Sequence, residues 1–448
     1  MNPLRIFLLA ALVLVVFGST EVEADQEPIW ESFTTGEVYS MSTSSDGSYI
    51  VVGTWESKPG SNASGYYPQI HFFEKDNSTP LWSKTTKGMV NDVDISANGE
   101  YIAVVTGADN YDDGVSAEGG HIYFFGKNSS TPILDYTVED NVFIRAVTIS
   151  EEGEYLAATG GSHLYFFNRD SPAPLWNFTS DDEFSNVEMS ADGNYIVAGN
   201  RNNTMYLFTK DNNTPLRNYV LGECSGICRL FASISDNGEY IAAGSTNGDW
   251  EQGHSPAISL FSKNNNTPLW VREVEGRELN DLAISSNGKY IGAGFSINGG
   301  TTGIKQTGKF YLLDSTGEEV WSYSTNKQAV TSIALSAEGE SVVIGVIDFG
   351  IHYFSNTSSI PIWTYTIGGG PVPVYISASG DYIIAGLGDV GYGGGVALLS
   401  KNYTENNTES ANTDETESVN TDEELFLPSL PLVTSLISIG LLAIFRRK

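Results

Sequence analysis

The sequence predicts an all-β fold, an eight-bladed β-propeller closed by its own N-terminal strand. Three observations predict it. A short phrase ending in a tight glycine turn recurs eight times, a tryptophan unit recurs with it, and the two ends of the repeat array have complementary deficits.

The recurring phrase is clearest at Val90-Asn91-Asp92-Val93-Asp94-Ile95-Ser96-Ala97-Asn98-Gly99-Glu100-Tyr101-Ile102-Ala103. Its turn glycine falls at Gly47, Gly99, Gly153, Gly193, Gly238, Gly288, Gly339 and Gly380. Intervals of roughly 40 to 54 residues are those of propeller blades. Each unit parses into four strands. Strand a alternates apolar and polar residues, as in Val93-Asp94-Ile95. An Asp-Gly, Asn-Gly, Glu-Gly or Ser-Gly pair then reverses the chain, because glycine supplies the positive φ such a turn needs. Strand b follows (Tyr195-Ile196-Val197-Ala198-Gly199), then an aromatic strand c (Leu164-Tyr165-Phe166-Phe167), a polar Thr-Pro turn, and a strand d opening on Leu-Trp, as in Leu269-Trp270. No part of the mature ectodomain has helical periodicity.

A lone sheet of this pattern is apolar on both faces and cannot bury them. Radial stacking buries each face against a neighbour and leaves only short edges. The repeated Trp30, Trp82, Trp176, Trp270, Trp321 and Trp363 are the expected wedges. Burying ~200 Å² of each at ~25 cal/mol/Å² contributes at most about 5 kcal/mol. Two repeats carry Leu134 and Arg217 near this place, which predicts looser junctions there. The ends settle closure. Pro28-Ile29-Trp30-Glu31-Ser32-Phe33 precedes any strand a, while the last repeat ends at Val396-Ala397-Leu398-Leu399 without a strand d. Residues 28–34 are therefore expected to complete the eighth blade and leave no open edge.

Over residues 27–401 the repeats resemble those of pyrroloquinoline-quinone-like and WD-repeat propellers. Leu313-Asp314-Ser315-Thr316-Gly317-Glu318-Glu319-Val320-Trp321 is similar to the quinoprotein repeat, and the Ser-x-x-Gly-x-Tyr phrase to WD-like repeats. The resemblance implies the fold. Quinoprotein dehydrogenases carry adjacent paired cysteines over the cofactor and a calcium site; this sequence has no adjacent Cys pair and no matching constellation, so no oxidoreductase activity is carried over.

Both ends read as membrane signals. Residues 1–24 have one early charge, Arg5, an apolar run over 6–17 and a small-residue cleavage site at Val22-Glu23-Ala24, a secretory signal peptide. Residues 425–445 are almost purely apolar, long enough for one transmembrane helix, and Arg446, Arg447 and Lys448 place the tail in the cytoplasm. Between propeller and helix, residues 402–424 are rich in Asn, Thr and Glu and lack Lys and Arg, the composition of an extended, disordered acidic stalk. This end resembles the C-terminal anchors of archaeal cell-surface proteins. In some of those the helix is exchanged for lipid at a Pro-Gly-Phe signal; here Leu427-Pro428-Ser429-Leu430-Pro431 stands in its place, and a retained helix is expected. The formal charge of −32 repels phosphate and excludes nucleic-acid partners.

Function is expected on the face formed by the b–c and d–a loops. The a–b and c–d turns on the other face are uniform. The b–c loops are long in blades one, two, five, six and eight and carry aromatic or imidazole side chains expected to be exposed: Trp55, Tyr66, Tyr67, Tyr111, Trp250, His254, Phe295 and Tyr392. Variable loops on a rigid scaffold are where recognition concentrates, and the expected ligand is a protein or a glycan. Asn-x-Ser/Thr acceptors occur at Asn62, Asn77, Asn128, Asn177, Asn202, Asn212, Asn265, Asn356, Asn402 and Asn406, several in c–d turns. Cys224 and Cys228 are expected to form a small-loop disulfide. No cofactor is expected; Asp109, Asp112 and Asp113 are weak calcium ligands out of the EF-hand register, and Asp92, Asp94, Glu188 and Asp281 should line the central channel, where carboxylates could trap a cation. No catalytic motif is present. Four of the five histidines sit at or beside strand c, where structural roles are expected. These features favour a non-enzymatic binding, adhesion or scaffolding module. The alternatives are a quinone- or metal-dependent extracytoplasmic enzyme and a component of an envelope complex.

Overall fold

A computed structural model describes residues 24–402 apart from 35, 58–65, 108–118, 139–141, 223–227, 247–255, 298–306, 326–327, 368–371 and 388–393. The expected stalk beyond Asn402, the membrane helix, the basic tail and all but the last residue of the signal peptide lie outside the described residues. The rest forms eight antiparallel four-stranded sheets, one of them extended by a fifth strand. In blade one the strands are Gly36–Thr43, Tyr49–Ser57, Tyr66–Glu74 and Trp82–Thr85. The inner strands of the following blades are Val90–Ile95, Ile144–Ile149, Phe184–Met189, Arg229–Ile234, Glu278–Ile284, Val330–Leu335 and Val374–Ile376. Each packs against the next, and the last against the first.

Closure is as expected. Trp30–Phe33 pairs with Gly395–Ser400 of blade eight, with Trp30 opposite Leu398 and Phe33 opposite Gly395. The N-terminus does more than the sequence suggested. Ala24–Asp25 adds a parallel fifth strand to the outer edge of blade seven, on Trp363–Tyr365. Between the two strands Gln26 is 2% exposed and donates to the carbonyls of Ser400 and Asn402, each at 3.3 Å. One short segment therefore spans the seam between blades seven and eight.

The eight turn glycines all have positive φ. They lie on one face, joined by a closed circuit of backbone hydrogen bonds. Ser45 donates to Ala97, Ala97 to Glu151, Glu151 to Ala191, Ala191 to Asp236, Asp236 to Ser286, Asn287 to Ala337, Ala337 to Ala378 and Ala378 back to Ser45, at 2.8–3.3 Å. The tyrosine opening each strand b lies under the turn glycine of the next blade. A Cβ on Gly99 would come within 2.4 Å of the Tyr49 ring, and across the closure one on Gly47 within 2.7 Å of Tyr382. At five of these junctions a cation just after strand c covers the ring, as Lys127 does over Tyr49 at 5.0 Å and Lys75 over Tyr382 at 5.5 Å. Blade seven departs, with Ser341 in the tyrosine position, hydrogen-bonded to the Tyr353 hydroxyl at 2.8 Å.

The tryptophans are inter-blade wedges, and each indole N–H also donates to the next blade. Trp82 reaches the Lys127 carbonyl at 2.7 Å, Trp363 the Lys401 carbonyl at 3.0 Å, and Trp30 crosses the closure to the Lys75 carbonyl at 2.6 Å. The two junctions expected to be looser retain cross-blade contact by other means. Arg217 donates its Nε to the Lys263 carbonyl at 2.8 Å, the role of an indole N–H, and Nη2 to the Asn264 carbonyl at 3.1 Å. At the other, Leu134 is buried and Tyr136, two residues along the strand, meets Phe167 edge-on at 5.3 Å, a contact that Phe178, Tyr219 and Tyr323 make at the same position in blades three, four and six.

Candidate functional site

The circuit of turns fixes one face as flat and regular. The opposite face is irregular, for reasons set by strand length and by β-bulges. In blade one, strands b and c are nine residues long, against six for Tyr101–Thr106 and His121–Gly126 of blade two. Three more residue pairs at about 3.3 Å per residue carry this hairpin about 10 Å further. Trp55 sits in it, half-buried, opposite Glu37 on one side and Pro68 on the other. Tyr66 and Tyr67 pair with Ser57 and Glu56 in the same hairpin.

Six of the eight inner strands shift register near their starts, at Val38/Ser40, Val90/Asp92, Ile144/Ala146, Phe184/Asn186, Leu279/Asp281 and Val330/Ser332. A bulge re-aims the extra side chain. In blade one this residue is Tyr39, 53% exposed, and in blade three it is Arg145. The sequence reading missed Tyr39, as it did Phe143 in the d–a loop of blade three and Phe349 in the b–c turn of blade seven, both exposed. Phe349 follows Asp348, a non-glycine residue at φ +59°. The missed signal was at Tyr39, whose place is taken by Asn91, Arg145, Ser185, Asn280 and Thr331 in the other bulged repeats.

One expected surface residue is not there. Phe295 is fully buried in strand Tyr290–Ser296, in contact with Tyr311 edge-on at 5.8 Å. Strand b of blade six runs on to Ser296, one residue longer than in blade two, and pairing of Phe295 with Lys309 and Leu279 places its ring between blades. Tyr111, Trp250, His254 and Tyr392, and the weak calcium candidates Asp109, Asp112 and Asp113, lie outside the described residues. Cys228 is fully buried and disulfide-bonded; its expected partner Cys224 is also outside them.

The channel carboxylates stand where the sequence placed them, and they tie blades together. Asp92 accepts from the Ser40 hydroxyl of blade one at 2.7 Å and from the Val147 N–H of blade three at 2.9 Å. Asp94 repeats the pattern one step along, with Ser42 at 2.9 Å and Ile149 at 3.0 Å. Glu188 accepts from Ser233 and Ile234 of blade five, and Asp281 from Ile333 of blade seven. Enclosure by the inner strands removes these groups from bulk water and pushes their pKa values up, Asp92 to about 7, Asp94 and Asp281 to about 6, and Glu188 to about 8. Burial, and then the negative charge of Asp92, Asp94 and Asp281, hold Tyr375 well above its ordinary value. Among the described residues, no three His, Cys, Asp or Glu side chains converge as a metal site.

The strand-c histidines are structural. His71 pairs with Ser83 at 2.8 Å, His121 with Asp135 at 2.8 Å and His163 with Thr179 at 3.1 Å, each across to strand d. Burial lowers His352 to about 4, so it stays neutral. At the loop end of blade four, Asp181 accepts from Asn200 at 3.0 Å, Tyr206 at 3.1 Å and Asn202 at 3.2 Å. Burial, reinforced by the Asp181 charge, pushes Tyr206 up to about 12. Beside it Glu183 pairs with Arg201 at 2.7 Å and lies 3.8 Å from Arg145.

No protein-family model matches the chain, and no curated protein matches it either.

Proposed function

We propose that the chain is a cell-surface binding, adhesion or scaffolding module whose loop face engages a protein or glycan, the propeller being held outside the membrane by the C-terminal helix. The observation that carries this reading is the asymmetry of the two faces. One is a closed circuit of near-identical turns; the other bears a projecting hairpin with Trp55 and the exposed rings of Tyr39, Phe143 and Phe349. Aromatic rings of this kind, fixed on a rigid frame, contribute most of the binding energy at recognition surfaces. The mixed charges of Arg145, Arg201, Glu183 and Asp181 give the same face polar specificity.

Glycan and protein arrays probed with the soluble ectodomain test the reading. Tyr39→Ala with Trp55→Ala is expected to weaken a detected interaction at least ~10-fold, a loss of about 1.4 kcal/mol or more. If these changes, together with Tyr111→Ala and Trp250→Ala, leave every interaction unaltered, recognition is elsewhere.

A second reading rests on the quinoprotein-like repeat of blade six, residues 313–321. In it the chain is a quinone- or metal-dependent extracytoplasmic enzyme. It requires a chromophore or stoichiometric metal in ectodomain purified from native membranes; a featureless visible spectrum together with an empty metal analysis would refute it.

A further inference from the structure

The residue just before each inter-blade wedge is aliphatic and exposed, in every blade. Across the ring these side chains are 40 to 55% exposed. Scattered single apolar residues on a surface need no explanation; the same repeat position exposed eight times does. The neighbours in sequence supply a reason. Asn77 precedes Leu81, Asn128 precedes Ile133, Asn212 precedes Leu216, Asn265 precedes Leu269 and Asn356 precedes Ile360 and Ile362, while in blade eight Asn402 follows strand c by two residues and Ile29, just before the closing strand, donates its N–H to the Leu398 carbonyl of that strand c. Each asparagine opens an Asn-x-Ser/Thr triplet at the same corner as the aliphatic residue. In blade one the corner is closed by Leu81 N–H donating to the Phe72 carbonyl at 2.7 Å. In blade two the Ile133 side chain lies 3.7 Å from the position a Cβ on Gly126 would take, two residues before Asn128. Blade three has no such triplet in its turn, but Asn177 stands two residues beyond Leu175 and so on the same strand face. Blade six has none, and its Val320 is the least exposed of the eight, at 40%.

The acceptor atoms differ in availability. Asn77 and Asn212 are exposed, and their Oδ1 atoms accept from the N–H groups of Thr79 and Thr214 at 2.8 and 2.9 Å. That leaves the amide nitrogens directed away from the turn with no hydrogen bond among the described residues. Asn202, on the other face, spends its Nδ2 on Asp181.

We infer that the rim asparagines are N-glycosylated and that the glycans lie over the neighbouring aliphatic side chains, covering the belt. The inference rests on the extracytoplasmic location proposed above. In the attachment, Nδ2 of asparagine attacks the anomeric carbon of a glycan carried on a lipid phosphate or pyrophosphate. An N–C bond forms, the anomeric C–O bond breaks, the phosphate leaves with the electron pair, and one amide proton passes to a base of the transferase. The carbon-bound faces of the sugar rings supply the apolar surface that meets Leu81 and its counterparts.

The test uses the full chain from its native membranes. Labelling of intact cells with a membrane-impermeant amine reagent reports location, and peptide mass spectrometry reports occupancy. Surface label, glycan on the rim asparagines and a bare Asn202 are expected. Surface label with every rim asparagine bare overturns the glycan inference and leaves the location standing; absence of surface label overturns both. Coverage is read separately. Replacing Asn77, Asn128, Asn212 and Asn265 by Gln should raise binding of an apolar dye at least ~3-fold, and adding Leu81→Ser, Ile133→Ser, Leu216→Ser and Leu269→Ser should reverse it. Dye binding that is the same with and without glycans, or sedimentation of the glycosylated protein as a dimer that the Ser replacements dissociate, means that something other than a glycan covers the belt.

Discussion

At Gly99 a single hydrogen in place of a methyl group sets a blade junction, since the Tyr49 ring occupies the space a Cβ would need and φ is +71°. Gly99→Ala is expected to cost about 2–4 kcal/mol, read as a lower denaturation midpoint. Gly222 separates the two causes. Its φ is +98° but none of the described residues lies within 4 Å of the Cβ position, so Gly222→Ala should cost only about 1 kcal/mol. Equal losses would mean that packing under the turn contributes nothing. The channel carboxylates make a pH prediction. Glu188 has an ordinary value of 4.5 and is raised by burial to about 8; Asp281 goes from 3.8 to about 6. Groups raised in the folded state contribute stability that is complete below their unfolded pKa and is lost as pH rises through the folded one. The propeller should therefore lose stability between about pH 4.5 and pH 8, and Glu188→Gln should flatten the upper part of that slope. Unfolding in urea at pH 5, 6.5 and 8 measures this; parallel curves for the two proteins would show that Glu188 does not titrate there.

Among the elements, strand d is the one whose chemistry varies while its task does not. Six blades use an indole and blade four a guanidinium to reach the neighbouring blade, while blade two has the buried Leu134 there and relies on Tyr136 against Phe167. Arg217→Ala leaves the Lys263 carbonyl without its partner and should cost about 1–3 kcal/mol, whereas Arg217→Trp restores an N–H donor and should cost under about 1 kcal/mol. Calorimetric unfolding of the two variants distinguishes the roles; equal destabilisation would show that the donor is irrelevant. The Trp series was legible because its spacing repeats. That Arg217 does the same work was not, because the acceptor lies in the next blade, 46 residues away. Phe295 was misplaced for a related reason: a loop and a strand extended by one residue have the same composition, and only pairing with Lys309 shows which it is.

The propeller is a ring held shut by the strand Trp30–Phe33. Deleting residues 27–35 removes strand Trp30–Phe33, the Trp30 bond to Lys75 and the cover of blade eight's outer edge. It should destabilise by on the order of 5 kcal/mol or more, while removing the stalk should change little. Starting the mature chain at residue 27 instead of 25 should have an intermediate cost, about 1–2 kcal/mol, because it removes the pairing of Asp25 with Thr364 on blade seven and the Gln26 bonds. Equal stability after the first two cuts would overturn closure by the N-terminus. By itself the sequence determined the strand pattern, the number of blades and the matching of the ends, because turn glycines, alternation and wedge residues act within one repeat. Only the tertiary structure decided what crosses between repeats: tyrosine under glycine, carboxylate to the next inner strand, the strand Ala24–Asp25 on blade seven, and the aliphatic belt on the rim. Those contacts join residues some 50 positions apart between neighbouring blades and 339 apart at the Ala24–Trp363 pairing, and no local pattern encodes them; they exist once the blades are stacked into a ring.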